Sequence, residues 1–320
     1  MPSLNIAIQM DAIESIKFAS DSSLALGLEA QNRGHALYYY QPKDLSVSNG
    51  KVTAALHEIT LRNDKDNYFT IGAEISSDFE DIDVVLMRQD PPYDMNYLTY
   101  TYMLERLPKH VMVLNNPAEV RNCPEKLFVL NFNQFMAPTL VTANFAEVEK
   151  FFHEHKDIII KPLYAHGGLD INRVNRPEQL QETFEIIMQA YHAPLMVQSF
   201  LPEVAKGDKR IMFVDGQVVG AINRIPKEGD IRSNLAQGGT AHATELTARE
   251  KEICAAIGPQ LKKRGLLLAG IDVIGGYVTE INVTSPTGIP SINRLCNTNV
   301  AAIFWDAVEN YKQNSSWMSV

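Results

Sequence analysis

The chain has 320 residues, 45% of them hydrophobic and 21% charged, with a formal net charge of -9. Domains average about 150 residues, so this length fits two or three packed modules, and the composition excludes a disordered or collagen-like chain. The negative balance also excludes a protein whose main task is to grip a nucleic-acid backbone, which needs Lys and Arg against phosphates.

At the start, residues 4–8 read as a first strand, with no cationic-then-apolar leader before it. Nowhere does the chain approach the ~18 apolar residues of a membrane span. A helical pattern over residues 22–33 stops at Gly34, and a strand follows at 36–40, which is β-α-β punctuation. Asn63-Asp64-Lys65-Asp66-Asn67 is a polar loop, because a calcium loop needs glycine at its sixth position, where Tyr68 stands. Short apolar runs at 83–87 and 111–114 flank a helix around 97–107, and this alternation predicts a parallel, doubly wound sheet.

The turn cluster Asn115-Asn116-Pro117 closes that pattern, and a domain boundary is placed just after it. Beyond it we expect a strand at 158–161 entering the turn His166-Gly167-Gly168, a helix at 177–190 and a strand at 195–200 that Pro202 ends. Strands at 210–214 and 218–223, a helix at 248–264, a hairpin and a final helix complete the chain. Cys123, Cys254 and Cys296 are odd in number and far apart, which predicts free thiols in a reducing cytoplasm. His153 and His155 lie two apart in a helical run, so they point to different faces and are read as solvated surface.

The most informative segment is the acid-bearing hairpin around Gly275-Gly276. Glu280 and Asn282 are two apart on a strand and leave the same face, where paired oxygen donors suit Mg²⁺. A strict two-residue turn pairs Ile274 with Tyr277 and sets Asp272 opposite Thr279, on the wrong face. An odd loop or a bulge pairing Ile274 with Val278 instead sets Asp272 across from Glu280, and this irregular hairpin is the expectation. On the hairpin alone, solvated surface acids are an equal alternative. Lys126 opens a helix and Lys161 ends an apolar strand beside Gly167 and Gly168, whose amides can approach an anion. Asp208-Lys209-Arg210 opens a strand, Arg224 closes another, and Arg232-Ser233-Asn234 lies in the stretch from Gly229 to Gly239, which reads as a lid. Neither of the two commonest glycine-rich nucleotide fingerprints occurs.

Taken in order, these segments resemble the bacterial glutathione synthetase family through nearly the whole chain. The resemblance is carried by Met87-Arg88-Gln89-Asp90-Pro91-Pro92-Tyr93-Asp94, Cys123-Pro124-Glu125-Lys126-Leu127, Ile160-Lys161-Pro162-Leu163 and Gly207-Asp208-Lys209-Arg210. Gly270-Ile271-Asp272 and the run from Thr279-Glu280-Ile281-Asn282 to Ser285-Pro286-Thr287-Gly288 complete it. It implies an α/β and α+β protein, with a doubly wound N-terminal substrate domain (1–122) before a two-lobed ATP-grasp fold (123–200 and 201–320, lid 225–240). Lys126, Lys161, Gly167 and Gly168 would then hold ATP phosphates, Gln198, Ser199, Phe200 and Leu201 the adenine, and Asp208 the ribose. Arg210 and Arg224 would be phosphate ligands, Arg232 and Asn234 part of the lid, and Asp272, Glu280 and Asn282 ligands of two Mg²⁺ ions, with Mn²⁺ as a substitute. Arg88, Asp90, Asn282, Ser285, Thr287 and Gly288 would meet the small-molecule substrates, γ-glutamylcysteine and glycine.

The implied partners are these small molecules and further copies of the chain, as a dimer or tetramer, with no nucleic acid and no membrane. The turn after Lys161 has fewer small residues than the family usually carries and brings in Asp170, whose carboxylate must turn away from the phosphates. Asp11, Asp21, Ser22, Ser23 and residues 88–94 fit either the glutamyl head of the peptide or caps and turns. A ligase of related specificity and a two-lobed anion sensor are the rival readings, the sensor leaving the acid trio unexplained.

Overall fold

The computed structural model describes residues 3–227, 232–233, 238–314 and 317. The first part runs β1 (Asn5–Gln9), α1 (Ser22–Asn32), β2 (Ala36–Tyr40), β3 (Leu45–Ser48), β4 (Lys51–Leu61), β5 (Phe69–Ser77), β6 (Val84–Met87), α2 (Met95–Leu104), β7 (Met112–Leu114), α3 (Pro117–Asn122) and α4 (Glu125–Phe128). Its sheet has the order β3-β4-β2-β1-β6-β7, with β5 paired to β4. Strands β2, β1, β6 and β7 are parallel, as the α/β alternation predicts, whereas β3, β4 and β5 add antiparallel neighbours. The sheet is therefore mixed. The β3–β5 segment lies between the β1-α1-β2 and β6-α2-β7 units and needs no crossover helix, because hairpins join its strands. Alternate residues of β1 pack into different cores, Ala7 on one side and Ile6 and Ile8 on the other, so both faces of the sheet centre are covered.

Local chemistry sets the ends of the helices. Asp21 caps α1, its carboxylate accepting from the Leu24 amide at 2.6 Å, and Asp94 caps α2 by accepting from the Tyr97 amide at 2.9 Å. The cap reading thus holds for both.

The second part comprises β8 (Thr139–Thr142), α5 (Phe145–His155), β9 (Ile158–Pro162), β10 (Asn172–Val174), α6 (Pro177–Tyr191) and β11 (Leu195–Ser199), in an antiparallel sheet of order β10-β9-β11-β8. Ile158, Ile160, Leu195 and Val197 point to α5 and α6, where Val148, Phe152, Leu180, Phe184 and Ile187 meet them. The alternate residues Ile159, Lys161 and Gln198 face the other way, into a cleft. His153 is exposed on α5.

The third part comprises β12 (Asp208–Val214), β13 (Gln217–Ile225), β14 (Thr240–Ala243), α7 (Ala248–Lys263), β15 (Leu268–Ile274), β16 (Tyr277–Asn282), α8 (Ile289–Cys296) and α9 (Val300–Asn314). Its antiparallel sheet has the order β14-β13-β12-β15-β16. One face carries Ile211, Phe213, Ile271, Val273 and Ile281 in a core with Ile253, Ile257 and Leu261 of α7. A capping box of Thr247 and Glu250 starts α7. Among the described residues no helix is long and apolar enough to cross a membrane.

Candidate active site between two sheets

The same alternation that sends Ile211 and Ile271 to α7 sends Asp208, Arg210, Arg224, Asp272, Glu280 and Asn282 to the opposite face. The ladder aligns them: Asp208 pairs with Arg224, Arg210 with Asp272, Asp272 with Glu280, and Gly270 with Asn282. The hairpin reaches this register in an unexpected way. Gly275 and Gly276, at φ 58° and 83°, form the two-residue turn, and Ile274 pairs with Tyr277 rather than with Val278. A register shift at Asp272/Val273 leaves Thr279 as the extra residue of a bulge and sets Asp272 opposite Glu280. The expected juxtaposition is present, and its cause is a bulge one step beyond the turn.

A dense ion-pair network occupies the face. Arg210 donates to both carboxylate oxygens of Asp272, Nε to Oδ1 at 2.5 Å and Nη2 to Oδ2 at 2.9 Å. Arg224 Nη2 lies 3.0 Å from Asp272 Oδ1 and donates to Asp208 Oδ2 at 2.5 Å. Asn282 Nδ2 lies 3.3 Å from Asp272 Oδ2. Burial alone would raise the Asp272 carboxyl, but Arg210 and Arg224 overcome it and hold the group well below the usual carboxylate range. For Asp208 burial prevails over Arg224 and pushes the carboxyl up to about 6. The two carboxylates therefore differ although they share one arginine.

The lysines approach from the other elements. Lys126, on α4 against β16, donates to the Ala165 carbonyl at 2.7 Å and lies 3.4 Å from Glu280 Oε1. Lys161, on β9, lies 4.0 Å from the same oxygen, and burial pushes its ammonium down to about 8 against the pull of Glu280. An anion brought beside this buried ammonium would favour its charged form.

Two clefts open off the face. One, of about 90 Å³, has apolar walls including Ile159, Phe200, Leu201, Val204 and Ile274, and a polar rim of Gln198, Ser199, Asp208, Lys161, Arg232 and Ser233. A flat aromatic base with polar substituents fits such a slot. Ser233 Oγ donates to Asp208 Oδ2 at 2.9 Å. The other, of about 250 Å³, is lined by Asp90, Glu125, Gly167, Arg210, Arg224, Glu280, Asn282, Ser285, Thr287 and Gly288, among others. Gly167 and Gly168 both have positive φ, 63° and 78°, which suits glycine at this bend. Asp170 does turn away: its Oδ2 accepts from the Tyr191 hydroxyl of α6 at 2.5 Å.

Arg88 stands behind the second cleft. Its Nη2 donates to the Pro286 carbonyl at 3.2 Å and its Nε to Ser23 Oγ at 3.0 Å, so it supports the 285–288 segment from below. Ser22 Oγ accepts from the amides of Gly288 and Ile289, and Ser285 Oγ donates to Asp90 Oδ1 at 2.9 Å. Asn234 and most of the expected lid lie outside the described residues. The sequence reading gave no role to Glu125 or Thr284, which line the second cleft and are joined by a hydrogen bond of 3.2 Å. Both stand inside or next to segments already singled out, beside Lys126 and Ser285, and that adjacency was the available signal.

Among the described residues no three His, Cys, Asp or Glu side chains form a ready cation cage. The fit of a divalent metal rests on Asp272, Glu280 and Asn282, hard oxygen donors converging from paired strands. Mg²⁺ takes one or two such carboxylates and completes its shell with phosphate oxygens and water.

Known proteins place the chain. Residues 4–121 match the model of the prokaryotic glutathione synthetase N-terminal domain, and residues 125–297 match that of the prokaryotic glutathione synthetase ATP-grasp domain. A glutathione synthetase of Mesorhizobium japonicum is 50% identical over 97% of this chain and 99% of its own. In fold, the chain is similar to the D-cycloserine synthetase DcsG, with a TM-score of 0.68 at 15% identity over 96% of this chain and 99% of that one. It is also similar to the ATP-grasp ligase PsnB, solved with a minimal precursor, Mg and ADP, with a TM-score of 0.60 at 17% identity over 97% of this chain and 98% of that one. Two domain models that together span residues 4–297, and a relative half identical from end to end, make this chain a member of the prokaryotic glutathione synthetase family.

Proposed function

We propose that the chain joins γ-glutamylcysteine to glycine at the expense of ATP, giving glutathione, ADP and phosphate through an acylphosphate. The observation that carries this reading is the single face on which Arg210, Arg224, Asp272, Glu280 and Asn282 meet Lys126 and Lys161, between a base-sized slot and a polar cleft. The adenine lies in the slot at residues 198–201, with the ribose at Asp208 and the phosphates pointing toward the lysines. Gly167 and Gly168 offer backbone amides to the same phosphates.

Divalent ions held by Asp272, Glu280 and Asn282, two Mg²⁺ or Mn²⁺ in their place, neutralise phosphate charge when bound. The chain's own part is position and field. Arg210 and the two lysines hold phosphate oxygens while the cysteinyl carboxylate attacks the γ-phosphorus, and ADP leaves. Glycine's amine then attacks the acyl carbon, with Arg224 or a backbone amide of residues 285–288 holding the oxyanion. Arg232 and Asn234 belong to a lid that keeps water from the acylphosphate. Asp90, Ser285, Thr287 and Gly288 contact the peptide and glycine, and Arg88 supports them.

We assign residues 1–122 to substrate binding and 123–200 and 201–320 to the two ATP-grasp lobes. We place the chain in the cytoplasm as a homo-oligomer; the free thiols of Cys123, Cys254 and Cys296 support the compartment. The test is ADP release from purified protein with Mg²⁺-ATP and γ-glutamylcysteine, with and without glycine, and the product identified by mass. Glycine-dependent release with the tripeptide is expected. Release without the tripeptide overturns the substrates, and no release overturns the ligase.

A further inference from the structure

An amino acid that enters this site at neutral pH carries an ammonium, and an ammonium has no lone pair with which to attack. Some group must hold it and take one proton. Among the carboxylates around the cleft, most are already engaged. Asp272 is bound by Arg210 and Arg224, Glu280 by Lys126 and Lys161, Asp208 by Arg224 and Ser233, and Asp90 accepts from Ser285. Glu125 takes one hydrogen bond, from Thr284, as Asp90 takes one from Ser285, but unlike Asp90 it directly precedes the phosphate-side Lys126 in the chain. It lines the cleft together with Arg210 and the 284–288 segment.

We infer that Glu125 is the carboxylate that receives the ammonium of the acceptor amino acid and removes a proton from it before attack on the acylphosphate. This rests on the ligase reading above and adds the acceptor subsite to it. The first proton passes from nitrogen to Glu125, and the neutral amine forms the C–N bond. The tetrahedral centre expels phosphate as the C–O bond breaks. The second proton leaves with the phosphate, and Glu125 returns its own to water.

The surroundings suit a proton acceptor. The charged and titratable groups facing Glu125 are Lys126 beside it, Glu280 on β16, Arg210 on β12, and Tyr93 and Tyr97 at and before α2. The carboxylate, tied to Thr284 at the wall of the cleft, stands where an ammonium can approach it and give up one proton.

The test compares two nucleophiles on the same acylphosphate. Glycine must be deprotonated, whereas hydroxylamine is largely uncharged at neutral pH and traps the acylphosphate as a hydroxamate. In Glu125→Gln, kcat/KM for glycine should fall by about 100-fold or more. Hydroxamate formation from γ-glutamylcysteine and the Kd for ATP should stay near wild type. The residual glycine reaction should rise with pH as free glycine loses its proton, without the wild-type plateau. Thr284→Val, which frees the carboxylate without removing it, should show a weaker loss of the same kind. Equal losses with both nucleophiles, or an unchanged kcat/KM for glycine, would overturn the inference. Wild-type ligation of glycine is the baseline: its absence overturns the substrate reading above, and with it this inference, whereas glycine ligation retained in Glu125→Gln overturns the inference alone.

Discussion

Asp272 shows how a single carboxylate serves both fold and site. It is 3% exposed, and two guanidinium groups converge on it. Removing one partner of a buried pair leaves the other uncompensated, at a cost of about 3–5 kcal/mol. Asp272→Asn should therefore lower stability to urea by that order as well as abolish metal-dependent turnover. Because the folded carboxyl is held below its unfolded value, its contribution is present above about pH 3.9 and is lost as pH falls further. Wild-type and variant stabilities should converge in acid, and parallel curves would contradict the assignment. Lys161 has the opposite sense. Its ammonium is pushed down to about 8 in the fold, so the fold favours the neutral amine. Below that pH both states carry the proton and the penalty is constant; between about 8 and the unfolded value near 10.4 it is relieved. Stability measured against a Lys161→Met reference should thus improve with rising pH across that window. Nucleotide, which favours the ammonium, should take up a proton on binding near pH 8, readable by calorimetry in buffers of different ionisation heat.

At the scale of elements, the turn between β9 and β10 carries the carboxylate that sequence reasoning placed close to the phosphates. The Tyr191 hydroxyl draws Asp170 toward α6, and its removal should release that charge toward the cleft. Tyr191→Phe is expected to raise KM for ATP several-fold while stability changes by less than about 1 kcal/mol, since the bond is exposed. Adding Asp170→Asn should restore KM, and failure of that rescue would dissociate Asp170 from the phosphates. Local pattern made β1, α1, β2, β9, α6, β11 and α7 legible, because each is a short apolar run or a helical stretch bounded by capping or breaking residues. It did not reveal β5, whose residues 70–76 are exposed on both faces and so carry no alternation, nor the short α8. The hairpin of β15 and β16 shows the limit more sharply. Side-chain chemistry demanded that Asp272 face Glu280, and that demand was correct, but two backbone solutions satisfied it. The bulge at Thr279 was not chosen by any residue preference visible in the hairpin itself. Likewise Glu125 reads as an ordinary helix-start acid until Thr284 is brought beside it from 159 positions away.

Over the whole molecule, the second cleft exists only because the first sheet is fixed against the third: Asp90 and Arg88 come from one, and residues 285–288 follow the other. Beside the packing of α1 on α9, the joint is tied by Asn115, just after β7 and 4% exposed. Its Nδ2 donates to the carbonyls of Leu268 and Val283, each at 2.7 Å, and its Oδ1 accepts from the Leu268 amide at 2.9 Å. One side chain thus carries the edge of the parallel sheet onto the ends of β15 and β16. Asn115→Leu keeps the size but leaves three buried backbone groups without that partner, which should cost about 2–4 kcal/mol in urea unfolding. Its functional effect should also be directional. The nucleotide slot is built from β9, β11, β12 and the hairpin, away from the joint, so the Kd of an ATP analogue should hold. KM for γ-glutamylcysteine should rise, because the peptide must be gripped from both sides of the joint at once. A rise in both constants would mean that the two sheets and the nucleotide slot move as one body, and no rise in either would mean that the substrate touches only one side.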